Sequence, residues 1–427
     1  MAAASNYSNN KSCTHGNTSL KIKKLKVFID FENVLCDFEG SLLKEYRKMY
    51  PKEPFISLEQ RKGLNIKQQY AELGVGLGEK LLNIYSRKGF IRDLPEIPGS
   101  CEALQALNRM VNVEVFIYSS TSGPYNYCLK EKCQWVEEHL GIEWLQKIVF
   151  VKDLTLINCH VVIDDRVQIK GVNKPKWEHI VFQACHNTRS NSGNKRKLNN
   201  WVDGRWRHIV NQLASRLYLL KQNLKVKMAS DSLIVLIDMD MVICDFEQNF
   251  LRDFRNKYPD LKYVPLPKRV GEDPVIQYSK FGASYENKVV SVYTALGFYS
   301  DLPEIPGACS ALKELNEMEG VEVFIVSPPV VSYEFGLKEK CQWIDQHLGM
   351  SWVDRMVHIC DKTLIHGHLL IDDAIKITGA EECPTWEHVV FTACHNVGSS
   401  IGNLKRLENW TDGSWKKLIR DFKDRKH

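Results

Sequence analysis

One stretch of the chain is continuously apolar and ends abruptly at acidic residues. "LIVLIDMDMVICDFE", residues 233–247, runs through aliphatic side chains to Asp238 and Asp240. A run of this length is typical of a strand that is buried on both faces, as in a parallel sheet. Open α/β sheets bind ligands at the carboxyl ends of such strands, although Asp is also common wherever a chain leaves a sheet. The pattern predicts a buried strand with a candidate site at its end.

Strand-like and helical patterns alternate along the chain. The runs "LKVFID", "VEVFIYSS", "KIVFV", "HVVIDD" and "HIVFQAC" have the apolar character of strands, whereas "CEALQALNRM" and "KEKCQWVEEHL" have helical character. This alternation predicts an α/β, Rossmann-like fold in which helices flank a parallel sheet. The interval from about 38 to 98 is mostly helical, so it is interpreted as a small cap inserted after the first strand.

The whole pattern occurs twice. "GFIRDLPEIPGSCEALQALNRMVNVEVFIYSS" from Gly89 returns as "GFYSDLPEIPGACSALKELNEMEGVEVFIVSP" from Gly297, an offset of 208 that becomes 209 from "WEH" onwards. A period of this length predicts a tandem duplication of a whole domain. The expected organisation is a flexible tail over 1–24, copy one over 25–222, a linker over 223–232 and copy two over 233–427.

Composition excludes several classes of protein. The chain is 44% hydrophobic and 26% charged, with a formal net charge of +5, which is ordinary for a globular protein and too mild to predict binding to nucleic acid. No membrane helix or secretory signal is expected. Thirteen Cys residues in apolar surroundings fit reduced thiols, so the cytoplasm is favoured over the mitochondrion.

Acidic and basic residues follow several of the predicted strands in copy two. Parallel strands deliver their carboxyl ends to one edge, so we expect these residues to converge there: Asp238, Asp240, Ser327, Lys362, Asp372 and Asp373. Converging carboxylates repel each other unless a cation compensates them, and Mg²⁺ with nearby lysines is the natural candidate. Such a set suits the charge that develops during phosphoryl transfer.

Ordered motifs in both copies resemble a known family. "DMDMV", "FIVS" and "DKT…LLIDD" are similar in order to the haloacid dehalogenase-like phosphatases. "DFE", "IPGA", "EK…W" and "SWEH…F…CHN" resemble more closely the 5'(3')-deoxyribonucleotidases. The resemblance covers nearly all of both copies, and it implies a phosphatase that acts on nucleoside monophosphates.

The resemblance also implies a role for each site residue of copy two. Asp238 would be the nucleophile, and Asp240 the general acid that later acts as base. Mg²⁺ would be held by Asp238, the backbone carbonyl of Asp240 and Asp373, with Asp372 close behind. Three side chains would hold phosphate oxygens: Ser327, Lys340 and Lys362. Phe246 is expected either to stack on the substrate or to pack in the core.

The two copies differ where chemistry is expected. In copy one Glu32 stands at the general-acid position and Leu154 replaces the phosphate-side lysine, which removes a cation. The other equivalents are retained: Asp30, Ser119, Lys132, Asp164 and Asp165. Copy one is therefore expected to fold, to bind Mg²⁺ weakly and to turn over poorly or not at all.

Copy two also departs from the family pattern. Met241 stands where the family usually has Gly, Pro328 replaces a family Ser, and the cap stretch reads "RVGED" where the family has an "RRGFW"-like sequence. These changes predict reduced activity and leave the base preference open. His388 and His395 are interpreted as structural, because their spacing matches no standard zinc pattern.

Two functional hypotheses follow. The first is a Mg²⁺-dependent 5'-nucleotidase-type phosphatase that forms an aspartyl-phosphate intermediate on copy two; the alternative is a catalytically inactive, nucleotidase-like binding or scaffold protein. A nucleoside monophosphate is the expected partner, with no nucleic-acid polymer and no membrane. The two copies are expected to pack as an internal pseudo-dimer.

Overall fold

The computed structural model describes residues 24–120, 128–220, 232–330 and 335–426. The predicted tail (1–24) and linker (223–232) lie outside the described residues, apart from residues 24 and 232. Copy one contains these helices and strands: β1 Leu25–Asp30, α1 Phe38–Met49, α2 Ile66–Leu73, α3 Leu77–Tyr85, α4 Ser100–Asn108, β2 Val113–Ser119, α5 Cys128–Leu140, β3 Ile148–Val151, β4 Val161–Asp164, β5 Glu178–Phe182, β6 Arg196–Leu198 and α6 Arg205–Leu220.

Copy two repeats this order with one additional short helix, α12. Its elements are β7 Leu233–Asp238, α7 Phe246–Lys257, α8 Pro274–Ser279, α9 Ser284–Tyr293, α10 Ala308–Glu317, β8 Val321–Ser327, α11 Gly336–Leu348, α12 Met350–Val353, β9 Met356–His358, β10 Leu369–Asp372, β11 Glu387–Phe391, β12 Lys405–Leu407 and α13 Ser414–Lys426. No helix in the described parts of the chain combines the length and apolar character that a membrane span requires.

Within the described residues the strands form one continuous sheet. Its order is β12-β11-β10-β7-β8-β9-β3-β2-β1-β4-β5-β6, so the two copies follow each other in mirrored order. All pairs inside each copy are parallel. β1 and β7 are buried along their whole length, as expected for central parallel strands covered on both faces. The predicted α/β fold is confirmed.

The cap of each copy begins directly after its first strand. Asp37 and Asp245 start α1 and α7 by accepting a hydrogen bond at 2.9 Å from the backbone N–H of Gly40 and Gln248, which is the usual role of an N-cap acid. In copy one the Arg61 guanidinium from the cap binds both carboxylate oxygens of Glu39 at the start of α1, at 2.7 and 2.9 Å. This buried, bidentate pair fixes the cap over the sheet edge.

The two copies meet at the antiparallel pair of β3 and β9. Phe150 is opposite His358, and the junction continues beyond the strands, where the N–H of Asn158 donates to the carbonyl of Leu364 at 2.7 Å and that of His366 donates to Leu156 at 2.5 Å. One face of the sheet at this junction is covered by an apolar cluster with members from both copies, including Leu156 and Leu364. The junction therefore has the character of a protein core.

A buried ion pair makes the junction asymmetric. The ammonium of Lys26 in copy one binds the carboxylate of Glu381 in copy two, and both side chains are almost fully buried. At the offset of 208, Lys26 corresponds to Ile234 of copy two, and Glu381 corresponds to Asn173 of copy one. The pair therefore exists on one side of the junction only.

We expect Glu381→Ala to destabilise the protein by about 3–5 kcal/mol, because it leaves the Lys26 ammonium buried without its carboxylate. The double change Lys26→Ile with Glu381→Asn reproduces the residues of the other side and is expected to cost less. Urea unfolding followed by fluorescence measures both. A Glu381→Ala protein within about 0.5 kcal/mol of the unchanged protein would contradict a structural role for the pair.

Candidate active site

Three carboxylates of copy two converge at the carboxyl ends of two neighbouring strands. Asp238 ends β7 and Asp372 ends β10, and the two strands are paired in parallel with Ile237 opposite Ile371. Asp373 follows directly. One carboxylate oxygen from each of the three acids lies within 4.8 Å of the others. The sheet register thus creates a compact acidic cluster.

Lys362 bridges two members of this cluster. Its Nζ lies 2.8 Å from Oδ1 of Asp238 and 2.6 Å from Oδ2 of Asp372. The residue begins a short 3₁₀ turn, Lys362–Leu364, which Asp361 caps by accepting from the N–H of Thr363 at 2.9 Å. The capped turn orients the ammonium towards the acids.

A second acid–lysine pair lies beside the cluster. Lys340 extends from α11 with its side chain almost fully buried, and its Nζ donates to Oδ2 of Asp240 at 2.5 Å and to Oγ of Ser327 at 2.7 Å. The helix therefore directs Lys340 into the site. Asp240 binds this lysine and is not one of the three clustered acids.

The turn after β7 carries backbone strain. Met241 has a φ of 62°, in the left-handed region that favours glycine. Its N–H donates to the carbonyl of Cys244 at 2.7 Å, which closes the turn beside Asp240. The sequence identified Met241 as a departure from the family Gly, and the structure shows that the conformation is kept despite the side chain. Strain of this kind costs of order 1–3 kcal/mol.

The charges of the site do not balance. Four carboxylates face two ammonium groups, so full ionisation would leave two uncompensated negative charges in a largely buried place. Burial, together with Asp372 and Asp240, raises the pKa of Asp238 to about 7 against the opposing effect of Lys362. Burial and Asp372 raise the pKa of Asp373 well above its usual range. A divalent cation that prefers oxygen ligands fits this cluster in charge and in donor chemistry.

Two residues at the cluster were not identified as site residues from the sequence. Nδ2 of Asn396 donates to the backbone carbonyl of Asp373 at 2.8 Å, and Nε2 of His395 lies 3.2 Å from Oδ2 of the same residue. Both residues lie against Asp373, and the interpretation of His395 as structural stays a prediction. The repeated "CHN" in both copies was the available signal, and the zinc spacing test was the wrong test for it.

Phe246 lies at the start of α7, half-buried among other rings. Its centroid is 5.3 Å from that of Phe298, 6.2 Å from Tyr293 and 6.3 Å from Tyr299. The structure places Phe246 in an aromatic group beside the acidic site, where its ring can pack against its neighbours and also stack on a ligand.

Copy one keeps the acidic cluster but compensates it differently. Asp30, Asp164 and Asp165 bring carboxylate oxygens within 4.8 Å of each other. Leu154 is buried in the apolar cluster at the junction between the copies and supplies no charge. The Arg166 guanidinium binds Asp164 instead, with Nε 2.9 Å from Oδ2. Leu154 thus removes the lysine at this position, as expected, while Arg166, at the equivalent of Ala374, places a different cation on Asp164.

Glu32 occupies the groups that would bind a phosphate in copy one. Its Oε1 lies 2.5 Å from Nζ of Lys132, and its Oε2 accepts from Oγ of Ser119 at 2.8 Å. In copy two the shorter Asp240 binds Lys340 through Oδ2, and the Ser327 hydroxyl accepts from that lysine. The additional methylene of Glu32 thus lets its carboxylate reach Ser119 as well as Lys132, the two groups that would bind a phosphate.

A cavity of about 230 Å³ opens above the acids of copy one. Acidic residues form its floor, and side chains from the cap and neighbouring loops form an apolar wall: Phe38, Leu64, Ile66, Tyr85 and Ile91. The cleft has the mixed apolar and polar lining of a small-molecule site, although its volume is below the usual range for such sites.

Comparison with known proteins places both copies in one family. The model of the family "5' nucleotidase, deoxy (Pyrimidine), cytosolic type C protein" matches residues 23–213 and again 232–421. The cytosolic 5'(3')-deoxyribonucleotidase of Homo sapiens is 42% identical over 44% of this chain and 94% of its own length. The human mitochondrial 5'(3')-deoxyribonucleotidase is 38% identical over 44% of this chain and 83% of its own. A putative 5'(3')-deoxyribonucleotidase of Bordetella pertussis is 37% identical over 45% and 97%. The two separate matches of the family model, over 23–213 and 232–421, confirm the predicted duplication.

In protein stripped of metal by EDTA, we expect stability to fall as pH rises from about 4 to about 7. Asp238 has a pKa of about 7 when folded and an ordinary value near 3.8 when unfolded. The folded state thus binds the proton more tightly, and this stabilisation is lost as the acid ionises. Asp238→Asn should reduce the slope of the free energy of unfolding against pH. Above pH 7 its free energy of unfolding should exceed that of the unchanged protein by more than ~1 kcal/mol.

Unfolding by urea at several pH values checks this, with Asp301→Asn at an exposed acid as the control. Equal pH slopes in the unchanged protein and in Asp238→Asn would contradict the argument. Mg²⁺ is expected to recover more stability at pH 8 than at pH 5, because ligands must be ionised to bind it.

Proposed function

Because the chain belongs to the family of 5' nucleotidase, deoxy (pyrimidine), cytosolic type C proteins, we propose that its second copy is a Mg²⁺-dependent phosphatase of (deoxy)nucleoside monophosphates. The chain is a phosphoric monoester hydrolase by family. One observation carries the finer proposal: Asp238, Asp372 and Asp373 converge in copy two with Lys362 bridging two of them.

The proposed reaction begins with Asp238. One of its carboxylate oxygens attacks phosphorus, and the bond to the nucleoside oxygen breaks. Asp240 donates a proton to that leaving oxygen, so the nucleoside departs as a neutral alcohol. Asp240 then takes a proton from a water molecule, which attacks the phosphoryl group on Asp238 and releases phosphate. The contact of Asp240 with Lys340, at 2.5 Å, favours the ionised carboxylate, which suits its second role as the base.

Fixed cations and donors would bind the phosphate in this reaction. Lys362 already bridges Asp238 and Asp372, and Lys340 with Ser327 forms the second half of the cradle. Fixed positive groups of this kind stabilise charge on the transferring phosphoryl group. Asn396 and His395 would hold Asp373 in its orientation.

Mg²⁺ would be held by Asp238, the backbone carbonyl of Asp240 and Asp373, with Asp372 adjacent. The two uncompensated negative charges of the site support a divalent ion. When bound, the ion would polarise the phosphoryl oxygens and allow the carboxylate and the anionic substrate to approach each other.

Copy one is proposed to turn over poorly or not at all. Its Ser119 and Lys132 are bound by Glu32, and Arg166 contacts Asp164 without bridging to Asp30 as Lys362 bridges to Asp238. The alternative, a wholly inactive binding or scaffold protein, is not favoured by the family membership or by the complete acid and lysine set of copy two.

Two further proposals concern assembly and location. The mirrored strand order and the β3–β9 pair support an internal pseudo-dimer of the two copies. A cytoplasmic location is proposed from the similarity to the human cytosolic relative at 42% identity, although the mitochondrial relative follows at 38%.

We expect Asp238→Asn to reduce phosphate release from deoxynucleoside and ribonucleoside monophosphates by at least about 10³-fold, because it removes the nucleophile. Asp30→Asn, the matched change in copy one, should leave most of the rate. EDTA should abolish the activity and Mg²⁺ should restore it. Loss of turnover in Asp30→Asn with activity remaining in Asp238→Asn would reverse the proposed roles of the copies.

Copy one should regain turnover when three of its differences from copy two are removed. We expect Glu32→Asp, Leu154→Lys and Arg166→Ala, combined in the Asp238→Asn background, to release phosphate measurably above that background. The matched control is the same triple change with Asp30→Asn, which removes the restored nucleophile. Circular dichroism would verify folding, because Leu154 is part of the core between the copies. A folded triple variant without any gain would mean that other residues silence copy one.

A further inference from the structure

An aromatic wall leads from the general acid of copy two towards the cap. The Nζ of Lys340, which binds Asp240, lies 5.2 Å from the ring centroid of Tyr299. Tyr299, Phe246 and Tyr293 follow each other at ring-centroid distances of 6.3 and 6.2 Å. A leaving group that takes its proton from Asp240 would therefore extend along these rings.

The cavity of copy one shows which cap residues close this path. Its apolar wall contains Phe38, Tyr85 and Ile91, whose equivalents at the offset of 208 are Phe246, Tyr293 and Tyr299. Leu64 belongs to the same wall, and its equivalent in copy two is Glu272. The two copies thus differ at this position by an apolar side chain and a carboxylate.

The loop that carries Glu272 is fixed on both sides. Nε2 of Gln277 donates to the carbonyl of Gly271 at 2.8 Å, and Asp273 caps α8 by accepting from the N–H of Val275 at 2.7 Å. The nearby Arg269 is committed to Glu247 at 3.0 Å. Within the described residues, no hydrogen bond or ion pair is recorded for the Glu272 carboxylate. Its carboxylate is therefore an exposed acceptor on a fixed loop, at the position that Leu64 has in the cavity wall of copy one.

Electrostatics link this carboxylate to the acidic site. Partial burial and Asp372 raise the pKa of Glu272, and Lys362 opposes them. Glu272 is thus within electrostatic reach of the sheet edge, which agrees with the place of its equivalent, Leu64, in the wall above the acids of copy one.

We propose that Glu272 is a specificity residue that selects nucleosides whose base presents N–H donors, guanine first. This inference rests on the proposed function. Guanine offers two adjacent donors, N1–H and the 2-amino group, which match the two oxygens of a carboxylate. Cytosine and adenine offer one amino group beside an acceptor. Thymine and uracil place carbonyl oxygens on both sides of their single N–H, so a carboxylate repels them.

The test compares kcat/KM for the monophosphates of deoxyguanosine, deoxycytidine and thymidine, with p-nitrophenyl phosphate as a substrate without a base. The unchanged protein should prefer deoxyguanosine monophosphate over thymidine monophosphate. Glu272→Leu, which installs the residue of copy one, should lower that ratio about 10- to 100-fold, the usual effect of losing a bidentate base contact. Glu272→Gln should give an intermediate value. Glu286→Gln, an exposed change on the cap helix α9, should leave the ratio unchanged.

Equilibrium binding of the same nucleotides to Asp238→Asn, with and without Glu272→Leu, separates selection from turnover. Tighter binding of deoxyguanosine monophosphate that depends on Glu272 supports the proposal even if turnover is absent. A ratio that Glu272→Leu does not change, in kinetics or in binding, overturns it and identifies Glu272 as a solvated charge. Failure to hydrolyse p-nitrophenyl phosphate and every nucleotide would overturn the proposed function separately.

Discussion

The whole molecule depends on how it compensates carboxylates that the sheet forces together. Parallel strands end at one edge, so Asp238 and Asp372 must meet there, as must Asp30 and Asp164. Buried charges of one sign are costly unless a cation is near. Copy two uses Lys362 from the turn after β9, whereas copy one uses Arg166 from the loop after β4. Each copy keeps one cation on its pair of strands, which explains how copy one can change the residue at 154 and still retain its acids.

The position of that cation has consequences beyond charge. Lys362 and Leu154 occupy equivalent turns, and the segments that follow them hydrogen-bond to each other across the junction between the copies. In copy one the side chain at this position joins the shared apolar core, while in copy two it points at Asp238. The junction therefore supports the backbone of the turn that carries Lys362. Such support is a physical reason for a chain to keep both copies in one sheet.

Much of this arrangement follows from patterns in the sequence. The apolar runs ending in acids identified the central strands and the edge at which they converge, and the offset of 208 identified two equal halves. Arg166 was missed because it supplies a charge in place of the lysine that Leu154 replaces. Only the contact between Arg166 and Asp164 in the folded protein reveals this role. His395 was missed because its contact is with a single acid, Asp373, and spacing rules describe only complete ligand sets. The sheet that continues from one copy into the other was also beyond the sequence, since edge pairing leaves no local pattern in strands as short as β3 and β9.

The two clefts have diverged in opposite directions from one plan. Over the acids, copy one has the large side chains Tyr118 and Arg166, where copy two has Val326 and Ala374. Tyr118 also donates its hydroxyl to Asp164, so that acid is bound from two sides and is less available to a ligand. Copy two has the smaller side chains over its acids and places a charge on the cap, through Glu272 at the equivalent of Leu64. An open floor is needed for a phosphoryl group to reach a nucleophile, whereas a charged mouth affects only what is attached to that group. The residues that carry out the reaction and the residues that distinguish leaving groups can therefore change independently. The sheet edge holds the first set, and the cap holds the second.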